Sequence, residues 1–277
     1  FIITKMNRIT FSLNHLILIF GLLLMIVPVW IIFASSTHTS LFINTNGLQF
    51  LLGDNFIDNY SSVLFKTSGF FQEITALKMF FNSFIMATGI ATLSVATSLM
   101  AAYGLVYYRV KYSSFIFWLI FITLLVPLEL RIMPTYEIMS NLNLLNSYMG
   151  LILPISASAI ATFFFRQFYK SVPDELLESA KLDGANSWKF FSDLLVPLSK
   201  TMIAAVFIFM FVFGYNQYLW PLIMTTTEQY WTVVMGLKTM YGSISHRFAF
   251  VIMSMIPPVL IIIFLQRWFI QGIFQDK

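Results

Sequence analysis

Cysteine is absent from this 277-residue sequence, which excludes disulfide frameworks, thiolate metal sites and cysteine nucleophiles, and leaves compartment beyond the reach of redox arguments. Charge is scarce too. Asp, Glu, Lys and Arg make up 10% of the chain and hydrophobic residues 58%, against about 25% and about 45–50% in an ordinary soluble domain. Too little charge remains to cover a water-facing surface, so the chain is read as a membrane protein. The balance of 16 Lys and Arg against 12 Asp and Glu leaves +4, which is no nucleic-acid footprint. His15, His38 and His246 fall in three separate regions and are read as interfacial residues rather than a metal site. There is no G-x-x-x-x-G-K-S/T phosphate loop, no H-E-x-x-H pair and no G-x-S-x-G elbow, so the chain is not expected to hydrolyse ATP alone. Ser94, Ser98, Ser156 and Ser158 lie in apolar stretches with no His or Lys to activate them; close helix packing explains them better than an intramembrane protease.

What is present is apolar length. A bilayer span needs about 20 mostly apolar residues, and six segments qualify, at about 14 to 34, 80 to 106, 114 to 133, 148 to 166, 201 to 223 and 248 to 270. The first follows Lys5 and Arg8, but its run from Leu16 to Ala34 is long for a signal-peptide core, and no small-x-small cleavage signal stands out near Ser35, Ser36 and Thr37; a retained helix is expected. Neither Phe1 nor Met6 as the start changes the topology. With the amino terminus inside, Lys5, Arg8, Arg109, Lys111, Arg166, Lys170, Lys181, Lys189, Lys200, Arg267 and Lys277 share one side, and Lys66, Lys78, Lys238 and Arg247 the other. The excess of inner cations predicts both termini in the cytoplasm. Arg131 is left over, inside the third span near its outer end. An outer loop at about 35–79 is expected to carry a surface helix with Leu51, Phe56, Val63 and Phe65.

The inner loop at about 167–200 is the largest expected cytoplasmic element. Its punctuation predicts two short helices: Ser171 as N-cap, Pro173 in the first turn, and Asp174 with Glu175 facing the positive dipole end. Gly184 can close the first helix in the left-handed region, Asn186 or Ser187 can cap the second, and Pro197 should limit it. Leu176, Leu177 and Ala180 give the first helix an apolar stripe, which periodicity alone would let rest on a membrane surface.

The precise residues say more. Glu178, Ser179, Ala180, then Asp183, Gly184, Ala185, followed by Phe190, Phe191, Leu195 and Pro197, resemble the E-A-A-x-x-D-G-A signature of inner-membrane subunits of bacterial ATP-binding-cassette (ABC) importers, with Ser179 replacing an alanine. Asn82 with Ser83, Asn216 with Trp220 and Pro221, and Pro257 with Pro258 resemble the carbohydrate-uptake branch of that family, which includes the maltose permeases. The stretch from Val126 to Thr135, the Phe165 to Phe168 run, Pro173 to Leu176, Pro197 to Thr201 and Asn216 to Leu222 are similar to the second permease subunits of sn-glycerol 3-phosphate importers.

The resemblance implies an all-α integral membrane protein of the type I importer permease fold, one permease domain over 1–277 with six transmembrane helices in a bacterial inner membrane. It implies that 35–79 is periplasmic and that 167–200 is a coupling loop in which Glu178, Ser179, Ala180, Asp183, Gly184 and Ala185 dock on an ATPase. The implied partners are a second permease subunit forming a heterodimer, two ABC ATPase subunits that bind ATP and Mg, and a periplasmic substrate-binding protein, all amid membrane lipid. No cofactor, metal or catalytic residue is expected in this chain. Arg131, Glu129, Asn216, Tyr218 and Trp220 are the candidate substrate-path residues. Arg131 offers a planar fork suited to a phosphate, although pairing with Glu129 or Glu137 would give it a structural use. Asn216 and Gln217 must find polar partners within or beside the bundle. A neutral-sugar permease is the alternative within the class; an intramembrane enzyme or a stand-alone channel lies outside it.

Overall fold

The computed structural model describes residues 2–66, 69–70, 74–108 and 110–274, with the side chains of 2–13, 128 and 268–274 outside the description. Arg109, Lys277 and the side chains of Lys5 and Arg8, used above for orientation, therefore lie outside the described residues. Every regular element among the described residues is helical. In order these are α1 (Ile2–Ser36), α2 (Ser40–Asn46), α3 (Phe56–Phe65), α4 (Ala76–Tyr107), α5 (Ser113–Ile122), α6 (Leu128–Asn141), α7 (Tyr148–Ser156) and α8 (Ala159–Ser171), then α9 (Asp174–Leu182), α10 (Ser187–Lys189), α11 (Val196–Leu198), α12 (Lys200–Tyr215), α13 (Leu219–Met224), α14 (Val233–Thr239) and α15 (Ile244–Phe274).

Three helices are long and apolar enough to cross a membrane unbroken: Asn14–Ser36, Ala76–Tyr107 and Ile244–Arg267. Three bent pairs bring the number to six if each is one span. Their breaks have local causes. Pro127 has no N–H to donate, and Val126 before it is extended, so α5 and α6 meet at 104°. Ala157 and Ser158 are extended, and the Ser158 hydroxyl accepts the Ala161 N–H, starting α8 afresh at 46° to α7. At Ser199 the hydroxyl turns back to donate to the Leu195 carbonyl at 2.6 Å, and the chain bends by 73° into α12. By contrast α4 contains no proline.

The described chain forms two compact units. The first comprises 1–77 and 237–255. In it the segment from His38 to Tyr60 folds onto the end of α1 through Ser35, Ser36 and Thr37, which are fully buried. Asn59 donates to the carbonyls of Ser36 at 2.8 Å and His38 at 2.9 Å, the Thr37 hydroxyl takes the Gly53 N–H at 2.6 Å, and the Ser35 hydroxyl takes the Gln49 N–H at 2.9 Å. Ser36 also bonds the Tyr60 hydroxyl; burial pushes that phenol's pKa up, with the Ser36 bond opposing the shift. Of the expected outer surface helix, α3 keeps Phe56, Val63 and Phe65, with Val63 buried, while Leu51 precedes it. Most of the α1 apolar surface from Leu16 to Met25 is exposed.

The second unit comprises 78–236 and 256–277, and α4 is its core. Met79, Met86, Ala87, Ile90, Ala91 and Ala102 are buried at 1% exposure or less. Close approach explains two glycines: a Cβ on Gly89 would strike the Ile152 side chain, and one on Gly214 would lie 3.2 Å from the Ala87 backbone. Arg166 is buried on α8 with its guanidinium 3.9 Å from the Phe117 ring centroid, a cation–π contact between α8 and α5.

Some expectations change here. The stretch read as one fifth span at 201–223 is α12 ending at Tyr215, an irregular Asn216–Tyr218 connection, and a separate α13. Ser171 ends α8 rather than capping α9, whose N-cap position is Pro173. Pro197 does not stop the second loop helix. The ladder widens to a π-helix over Phe190–Leu195 and continues through Pro197 to Ser199, an adjustment that keeps Phe190, Phe191 and Leu195 buried.

Candidate functional site

Two places combine unusual geometry with the sequence-predicted residues. The first is the α9–α10 loop. Asp174 and Glu175 open α9 and Lys181 closes it, each complementing the helix dipole. Gly184 then takes φ +74°, the Ala185 N–H reaches the Ala180 carbonyl at 2.9 Å, and the Gly184 N–H reaches that of Lys181. This is a left-handed closure of the Schellman kind. Asn186 caps α10 by accepting the Lys189 N–H at 2.8 Å. Ser179, Ala180, Asp183 and Ala185 line a common cleft of about 260 Å³ with Lys189 and Phe190; Glu178 is exposed outside that lining, and Gly184 shapes the turn. Leu182 is 90% exposed and Trp188 67%. These two were not singled out from sequence, since an apolar residue in a loop looks like core until its exposure is known.

The second place is a cavity of about 180 Å³ where two broken helices face α12. Arg131, Thr123, Ile155, Ser158, Phe209 and Phe213 are among its lining residues. Thr123 lies beside the Pro127 break, and Ser158 belongs to the α7–α8 break, so the amino-terminal end of α8 meets the cavity with its positive dipole end. Arg131 is exposed on α6, its carbonyl taken by the Thr135 hydroxyl at 2.7 Å. Neither Glu129 nor Glu137 forms an ion pair with it among the described residues, so the alternative of a structural pair is not made there. Ser158 was read from sequence only as packing; the break that gives it a cavity wall cannot be seen in an apolar run.

The fifth-span candidates stand elsewhere. Asn216 is exposed and donates to the Val212 carbonyl of its own helix at 3.0 Å, and Gln217 does the same to Phe213 at 3.2 Å. Trp220 is 1% exposed, its indole N–H donating to the Leu151 carbonyl at 3.2 Å; it fastens α13 to α7. Tyr218 occupies the N-cap position of α13 and is half-buried. None of these four residues lines the Arg131 cavity.

Residues 94–275, which include both places, match the family described as binding-protein-dependent transport system inner membrane component. The chain belongs to that family. Among relatives of this importer family, the sn-glycerol-3-phosphate transport system permease protein UgpE of Brucella melitensis is 39% identical over 96% of each chain. That of Yersinia enterocolitica is 40% identical over 95% of each. A solved bacterial ABC transporter involved in the import of the acidic polysaccharide alginate superposes with a TM-score of 0.79 over 95% of this chain and 97% of its own, at 21% identity. At that identity the likeness shows the importer permease fold.

Proposed function

We propose that this chain is the permease subunit through which an ATP-driven importer passes sn-glycerol 3-phosphate. The observation that carries the reading is Arg131, a cation at a cavity between broken helices with no carboxylate paired to it among the described residues. Its planar guanidinium suits a phosphate, and the likeness to glycerol-phosphate permeases over 96% of the chain supports the same substrate. A neutral sugar would leave a cation in the membrane without an evident use.

In this reading the chain spans a bacterial inner membrane six times, each bent pair counting once, with both termini in the cytoplasm. It pairs with a second permease subunit and receives substrate from a periplasmic binding protein. Two ATPase subunits bind ATP and Mg, while this chain performs no catalysis. The α9–α10 loop docks on one ATPase through Glu178 to Ala185, with Leu182 and Trp188 supplying apolar contact. Closure of the ATPases moves that loop, and the helices rock about the Arg131 level to alternate access. The test is uptake by proteoliposomes holding all partner proteins, given labelled glycerol 3-phosphate or maltose. Glycerol 3-phosphate uptake is expected; transport of maltose without response to glycerol 3-phosphate would overturn the substrate.

A further inference from the structure

Helix α4 is bonded to the rest of its unit at three levels. At the outer end, the fully buried Asn82 donates to the carbonyls of Gln229 and Trp231, both at 2.8 Å, and accepts the Tyr148 hydroxyl at 2.7 Å. Next to it, the Ser83 hydroxyl accepts the Val233 N–H at 2.8 Å. Together these grip the segment between α13 and α14. Asn146 holds the start of the same segment, its side-chain oxygen taking the N–H groups of Thr226 and Thr227. About three quarters of the way toward Tyr103, Ser98 donates to the Ser158 carbonyl and Thr97 to that of Ser156, both at the α7–α8 break beside the Arg131 cavity. At the inner end, the Tyr103 hydroxyl donates to the Ser187 carbonyl at 2.7 Å. The Tyr103 ring lies 4.9 Å from that of Phe191, and the Tyr107 ring 5.3 Å from that of Phe190. That contact lies immediately beyond the Gly184 turn.

We infer that α4 is the transmission rod of this permease, carrying displacement of the α9–α10 loop to the α13–α14 segment, with Tyr103, Asn82 and Ser83 as its positioning residues. The helix is continuous over 32 residues without proline, whereas three neighbouring spans are broken at 104°, 46° and 73°. A broken span can absorb movement at its hinge; an unbroken one delivers it to the far end. Ser83 and Tyr103 stand twenty positions apart along α4, about 30 Å, so the two grips are too far apart to touch directly. The inference rests on the proposed docking of the loop on an ATPase, but not on the identity of the solute.

Because the chain has no cysteine, Gln229→Cys places one label in it on an exposed side chain of the outer segment, leaving the backbone carbonyl that Asn82 holds. In the assembled complex, trapping nucleotide in the ATPase subunits with vanadate is expected to change the mobility of a spin label at that site. Tyr103→Phe and Ser83→Ala each remove one hydroxyl and keep the packing. Each is expected to shrink the response roughly fivefold, the shift one net hydrogen bond supplies, while the amount of trapped nucleotide stays the same. Combining them should shrink it little further, because sites on one path are not additive. A label that ignores trapping in the otherwise unaltered chain, a full response in either variant, or losses that simply multiply would overturn the rod. Uptake is not read, so a complex that carries another solute fails only the substrate assignment.

Discussion

The α9–α10 loop and the Arg131 cavity lie on the same chain, yet they are built in opposite ways. The loop's turn is local: it comes from one glycine at φ +74°, its caps from Asn186 and the acidic first turn, and its closing backbone bonds from residues within five positions of one another. The cavity is non-local, assembled from the segment just after α5 and from α6, α7, α8 and α12 at two helix breaks. Local features tolerate little change at a few positions; a cavity distributes its tolerance among many. Coupling should therefore be lost abruptly by single substitutions, and substrate handling by degrees.

The largest expected effect is at Gly184. A Cβ there meets nothing within 4 Å, so the cost of Gly184→Val is backbone strain alone, about 1–2 kcal/mol for a residue forced left-handed and more for a β-branched one. The turn should re-form otherwise, moving the Ser179–Ala185 cleft. Uptake is expected to fall by more than about tenfold and co-purification of the ATPase subunit to drop, with the chain still inserted. Gly184→Asn, which tolerates this region, should retain much of both; if it is as damaging as valine, strain is not the cause.

Next comes Arg131. One charge-assisted hydrogen bond contributes about 1.5–3 kcal/mol, so Arg131→Gln is expected to lower glycerol 3-phosphate uptake by about tenfold or more while binding-protein-stimulated ATP hydrolysis persists. Arg131→Lys keeps the charge but not the fork and should fall between. Loss of both uptake and assembly would make Arg131 structural and erase the contrast with the loop.

Trp220→Phe sharpens the contrast from the other side. It keeps the ring but removes the buried bond from the indole to the Leu151 carbonyl, a loss of about 0.5–1.5 kcal/mol. The expected outcome is a lower unfolding temperature of the detergent-solubilised complex with unchanged preference between glycerol 3-phosphate and maltose. Glu178→Lys should be weaker still, because an exposed charge contributes about 0–1 kcal/mol: ATPase association is expected to weaken a fewfold and more at low salt.

The same contrast explains what was legible in the sequence. Gly184, Asn186 and the acidic first turn of α9 could be placed from sequence because each acts through its own backbone. The long apolar helices were legible from apolar length, but not the breaks. Val126–Pro127 carries a visible cause, whereas Ala157–Ser158 and Ser199 sit in runs that read as continuous, and the bend depends on what packs there. Pro197 misled for a physical reason: a π-helix accommodates it when the burial of Phe190, Phe191 and Leu195 favours continuing the helix. Ser35, Ser36 and Thr37 looked like a polar span end; their burial under the outer loop needed partners at 49, 53 and 59, which no periodicity links.

The smallest expected effect is at Asn216, and it tests whether a polar residue in an apolar stretch must act between helices. Its amide donates to Val212 within its own helix, and the side chain is exposed, so it neither joins two helices nor lines the Arg131 cavity. Replacing it with alanine removes one local bond at a helix end, where the Asn216 N–H still reaches the Val212 carbonyl. The loss should be no more than about 0.5–1.5 kcal/mol, and uptake is expected to change by less than about twofold with assembly intact. A loss as deep as that of Arg131→Gln, confined to uptake, would extend the substrate path to the α12–α13 connection and make the cavity only one part of it. A loss of assembly would instead mean that Asn216 meets a partner subunit, and that its exposure here is the surface of an interface.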